Sequence, residues 1–196
     1  MDRFARIRKE LDEAITYGQF KLAKGLIIEG MREARNQEVL GEMEYFKGQA
    51  CILTEDYFGG IGHFDKAVKY NPKDGASFND RALCMVELGM TQEAFSYFDR
   101  GIEVEPDYAT IYHNKGWLLN KVGRHSEAIE YFNKALGLEP DRAVTYENLG
   151  DAFRNLGNYA DALKTYKKAI ELLKPAYSEI KRQLLSNIQQ LEKDLI

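Results

Sequence analysis

Side chains able to make or break bonds are few in this chain, and they are scattered. Three histidines, His63, His113 and His125, stand among 196 residues, with no serine, aspartate or cysteine partner at the spacing of a nucleophile–base pair. Cys51 and Cys84 form no C-x-x-C pair and have no histidine cluster beside them, so no metal site is expected. Both read as small apolar fillers inside helices. The run Gly59-Gly60-Ile61-Gly62 lacks the preceding strand and the Lys-Ser/Thr of a phosphate loop. It falls where a helix should begin, and it predicts a loosened hairpin there. The expectation is a non-enzyme with no catalytic residues and no cofactor.

What does recur is punctuation. Pro72, Pro106 and Pro140 are spaced by one fixed interval of 34 residues, and Pro175 misses it by a single residue. Taking Gly41, Gly75, Ala109 and Ala143 as position 1, small residues return at position 8 as Gly48, Ala82, Gly116 and Gly150. Position 15 is Gly89, Gly123 and Gly157 in the last three copies, and position 20 is Gly60, Ala94, Ala128 and Ala162. Position 24 is aromatic each time (Phe64, Phe98, Phe132, Tyr166), and position 27 is small (Ala67, Gly101, Ala135, Ala169). Positions 4, 7, 8 and 11 fall on one side of a helix. A small residue at 8 lets a second helix approach, and the aromatic at 24 fills the space. Glycine at 15 ends the first helix in a left-handed turn. Proline at 32 stops the second.

This pattern resembles the tetratricopeptide repeat family, whose 34-residue helix–turn–helix carries W-x2-L-G-x2-Y, then A-x3-F, then P. The matching residues are Tyr146, Leu149, Gly150 and Phe153, then Ala162 and Tyr166. The preceding copy offers Tyr112, Lys115, Gly116 and Leu119, then Ala128, Phe132 and Pro140. A divergent earlier copy starts near Phe4, with Gly18, Phe20, Ala23, Ile27 and Gly30 in register. The resemblance implies an all-α fold, a right-handed superhelical solenoid of about five such repeats plus a C-terminal capping helix, as a single domain over 1–196. The expected repeats are 4–37, 41–74, 75–108, 109–142 and 143–176. Tyr177, Ile180, Leu184, Ile188, Leu191 and Leu195 form one apolar stripe, which either caps the last repeat or dimerises. Capping is the expectation.

The same resemblance implies that first helices line a concave groove, and positions 2, 5, 9, 12 and 13 lie opposite their buried arc. Candidate peptide-binding residues are Tyr45 and Gln49 in the second copy, and Asn79 and Leu83 in the third. The fourth supplies His113, Trp117 and Lys121, and the fifth supplies Glu147, Asp151 and Arg154. Asn114 and Asn148 stand at position 6, beside the groove, where an amide can both donate to and accept from an extended peptide. Trp117, the only tryptophan, is either a binding anchor or a packing residue between repeats. One branch of the family holds chaperone carboxylates on Lys, Asn and Arg, but the corresponding set here is Tyr45, Gln49, Asp80, Thr110 and Asn114. No cation there can hold a carboxylate. Lys47, Arg81 and Lys115 at position 7 read as stems covering apolar surface with their charged ends in water.

Composition bounds the partner. The 44% hydrophobic and 30% charged residues fit a folded soluble chain rather than a disordered or membrane one. A net charge of −4 argues against nucleic acid, which demands a clustered basic surface. No apolar run approaches the ~20 residues that span a bilayer, so membrane insertion is not expected. The N-terminal MDRFARIRKELDEA has no apolar signal core, and a cytoplasmic location is the expectation. The reading is a scaffold that binds a protein or peptide partner, with homo-oligomerisation as the alternative.

Overall fold

A computed structural model describes residues 2–194, and these form helices joined by short connections, with no strand among them. The chain divides into two compact units, Met1–Pro106 and Asp107–Ile196. The first unit holds α1 (Arg3–Thr16), α2 (Phe20–Asn36), α3 (Leu40–Leu53), α4 (Tyr57–Tyr70), α5 (Gly75–Glu87) and α6 (Thr91–Val104). The second holds α7 (Ala109–Lys121), α8 (His125–Leu138), α9 (Ala143–Asn155) and α10 (Tyr159–Leu172). A 3-10 turn (Pro175–Tyr177) then leads into α11 (Ser178–Asp194). Within each unit, helices consecutive in the chain pack on one another, so the core is a row of helix–helix seams.

Two kinds of connection set the geometry. In the first, one residue takes a left-handed φ and donates its N–H three residues back, while the next donates five back, as in Gly123 to Asn120 and Arg124 to Leu119. Gly18, Gly89, Gly123 and Gly157 serve here, but so do Glu38 (φ 56°) and Glu55 (φ 59°). In the second, the helix stops two residues before a proline. Asn71, Glu105 and Glu139 leave helical geometry with ψ of 90°, 74° and 84°, because the proline ring crowds the preceding residue out of the α region.

The small-on-aromatic columns are the seams themselves. A Cβ on Gly48 or Gly150 would come within 2.6 Å of the Phe64 or Tyr166 ring, respectively. One on Gly116 would come within 3.0 Å of Phe132. The same contact joins Gly30 of α2 to Phe46 of α3, across a connection the repeat frame places between copies.

Gly59-Gly60-Ile61-Gly62 does not loosen its hairpin. α4 runs through it unbroken, capped by the Asp56 carboxylate, which accepts from the Gly59 N–H at 2.9 Å. Gly60 is buried, and a Cβ there would lie 3.0 Å from the Cys84 sulfur, so its smallness lets α4 approach α5. At the other end of the chain, Leu184, Ile188 and Leu191 of α11 bury against Ala162, Tyr166 and Ala169 of α10. Tyr177 is buried and Ile180 packs on the same cluster. Leu195, the last member of that stripe, lies outside the described residues.

Candidate functional site

First helices carry the candidate residues, and the two units treat them differently. In the first unit the face of α1, α3 and α5 is filled from within. Arg8 of α1 forms a bidentate pair with Asp74, at 2.8 and 3.0 Å, and reaches Glu42 at 3.1 Å. Its guanidinium lies 3.7 Å over the Tyr45 ring. Burial pulls the Arg8 pKa down, but the charge and hydrogen bonds of Asp74, with Tyr45 and Glu42, together outweigh it and hold the group above its ordinary value. Asp74 is itself the cap of α5, accepting from the Ser77 N–H at 3.2 Å. Burial pushes Asp74 up and the charge of Arg8 pulls it down, with a net lowering.

Beneath Arg8 lies a buried polar cluster. Gln49 donates to the Tyr45 hydroxyl at 3.1 Å and also to Asp80, while Asn79 donates to Asp80 at 2.8 Å. Burial pushes the Asp80 carboxyl up to about 7, against the lowering by its hydrogen bonds to Asn79 and Tyr45. Tyr45, Gln49 and Asn79 are therefore brought together, but as buried members of a network. Leu83, one turn on from Asn79, is half-buried. Arg8 was not among the sequence candidates, although a frame starting at Phe4 puts it at position 5, where Tyr45, Asn79 and His113 also stand.

In the second unit α7 and α9 carry the candidates. His113 is buried, and Asn148 donates to its Nε2 at 3.3 Å, so the proton sits on Nδ1 and is donated to Thr145 Oγ1 at 2.9 Å. Burial pushes the His113 pKa down to about 3, with help from the charge of Arg142, and the ring is neutral. One turn along α7, Trp117 is half-buried, with the Lys121 ammonium 4.9 Å from the ring centre. Asn114 is half-buried beside them. On α9, burial and then the nearby Asp151 charge push Glu147 up to about 6. Asp151 accepts from the Tyr166 hydroxyl at 2.5 Å and from exposed Arg154 at 3.3 Å.

Two of the position-7 cations, Arg81 and Lys115, are buried rather than ending in water, while Lys47 keeps 41% of its side chain exposed. Arg81 pairs with Asp65 at 2.6 Å and stacks 3.7 Å over Tyr97. Lys115 donates to the Tyr131 hydroxyl at 2.8 Å, and Lys47 reaches Glu44 at 2.6 Å. Each reaches a carboxylate or an aromatic group of the helices, so no free cationic ladder is formed.

Consecutive helical hairpins with small-on-aromatic seams and polar first-helix faces define a helical-repeat protein. Over its second unit the chain is similar to the tetratricopeptide repeat family, whose model matches residues 109–142 and 143–174. Among solved structures it is similar to TTC0263, a thermophilic TPR protein of Thermus thermophilus, at 17% identity and a TM-score of 0.72. That match covers 93% of this chain and 98% of the other. A MamA structure matches at 22% identity and a TM-score of 0.61, again over 93% and 98%. YrrB, described as a TPR protein with an unusual peptide-binding site, matches at 18% identity and a TM-score of 0.58 over the same shares. These likenesses carry the fold. Among curated proteins none matches the chain in sequence.

Proposed function

We propose that the chain is a protein-interaction scaffold and that the α7–α9 face holds a peptide or short helix of a partner protein. The observation that supports this reading most is Trp117. A large indole left half-buried on a first helix, beside the side-chain amides of Asn114 and Asn148, suits an anchor pocket with a polar rim. The corresponding face of the first unit already holds Arg8. The peptide-binding site described for YrrB lends the reading a precedent on the same fold. Self-assembly through the α11 stripe is disfavoured, since that stripe is spent on α10.

Trp117 is the only tryptophan, so its emission reports on this face alone. A partner segment captured from the host and titrated into the chain should shift that emission, with a Kd near micromolar, about −8 kcal/mol. Trp117→Ala should weaken capture by ~2 kcal/mol, roughly thirtyfold. Equal recovery of every partner by wild type and variant would remove the α7–α9 face from consideration.

A further inference from the structure

The outer side of α2 carries a pattern that neither the helical core nor the first-helix faces use. Lys21, Lys24, Ile28, Arg32 and Arg35 are spaced three, four, four and three apart, which places them on one line along the helix. All five are exposed, and Ile28 keeps 55% of its surface in water. Phe20 (62% exposed) and Leu22 (50%) flank the line at its start. The stripe runs for ~20 Å at 1.5 Å per residue.

Two further facts separate this stripe from an ordinary solvated face. The two acids of α2 are turned away from it: Glu29 and Glu33 are held by Arg6 and Arg3 of α1, at 3.2 and 2.8 Å. No exposed residue of α2 is acidic, on a chain whose net charge is −4. The second fact is position. Lys21 sits in the first turn, where the helix dipole disfavours a cation, so the dipole does not account for it. None of the four cations has an ion-pair partner among the described residues.

We infer that the outer face of α2 docks on an anionic lipid surface. A line of cations with exposed Ile28 among them, and exposed Phe20 and Leu22 flanking its start, suits a plane of negative headgroups with an apolar layer beneath. The contact is peripheral: among the described residues no helix is long and apolar enough to cross a membrane. This face lies on a second helix of the repeat frame, so it works independently of the α7–α9 face.

The test is flotation of the full chain with vesicles of phosphatidylcholine, with and without phosphatidylglycerol. Binding is expected only to the anionic vesicles and should fall as salt is raised. Each neutralised stripe cation should weaken it by roughly fivefold, and Lys24→Glu with Arg32→Glu by more than about thirtyfold. Phe20→Ser should weaken it at unchanged salt dependence. Lys164→Glu with Lys181→Glu, the same charge change on α10 and α11, should leave most of the binding, and Trp117→Ala should leave all of it. Unchanged circular dichroism verifies that each variant is folded. The inference is overturned by equal binding to neutral vesicles, by no binding at low salt, or by equal losses from the stripe pair and the control pair. Capture by soluble polyglutamate without vesicle binding would overturn it too, and would assign the stripe to an acidic polypeptide.

Discussion

At the scale of single residues, Asp80 is a side chain whose chemistry departs far from its type. Its carboxyl is enclosed by Gln49, Asn79 and Tyr45, and burial pushes it from 3.8 up to about 7. The folded state therefore holds that proton more tightly than the unfolded chain does. The resulting stabilisation is complete below about 4 and is lost as pH rises through about 7. Thermal unfolding should show Tm falling between those values. Asp80→Asn, which keeps the shape and removes the titration, should flatten that part of the profile. A profile unchanged by the substitution would assign it to other carboxyls. The sequence showed Asp80 only as a member of the set that fails to hold a chaperone carboxylate; its confinement depends on Tyr45 and Gln49 from α3, a full repeat earlier in the chain.

At the scale of elements, α1 is fastened to α3 and α5 through one side chain. Arg8 meets Asp74, Glu42 and the Tyr45 ring, so removing it leaves buried carboxylate oxygens without their cation. Arg8→Ala should destabilise the first unit by about 3 kcal/mol in urea unfolding. Asp74→Asn in the same background should add less than it does alone, since both changes act on one contact. Additive losses would show that Arg8 acts through packing on Tyr45 rather than through the ion pair. The helices themselves were plain in the sequence, because glycine, proline and the aromatic column mark their ends and seams locally. The Glu38 and Glu55 turns were not, because glutamate rarely takes a left-handed φ at a cost of ~1 kcal/mol, and only the closing hydrogen bonds reveal them. The groove list mixed buried and accessible groups for a similar reason. Helical phase says which arc a residue occupies, while Tyr45, Gln49, Asn79 and His113 are covered by neighbours that phase does not show.

At the scale of the whole molecule, stability within each unit is shared out along seams between consecutive helices rather than gathered in one centre. The last seam is the most vulnerable. Leu184, Ile188, Leu191 and Tyr177 are buried at the end of the second unit, and each large apolar side chain contributes about 1.5–3 kcal/mol. A chain ending at Lys174 should lose at least about 5 kcal/mol, comparable to the whole stability of many domains. It should bind a hydrophobic dye and lose more helical signal than the deleted residues account for. A truncated form with per-residue helicity and melting unchanged would show that α11 is an appendage.

The connections described for the first unit bear on what recurs along such a chain. α1, α2, α3 and α4 follow one another through the same left-handed turn, and Gly30 meets Phe46 much as Gly48 meets Phe64. From α7 to α10, by contrast, that turn alternates with a proline break. From α1 to α4 one kind of turn joins every helix to the next, so the unit that recurs is a single helix, whereas from α7 to α10 it is a pair.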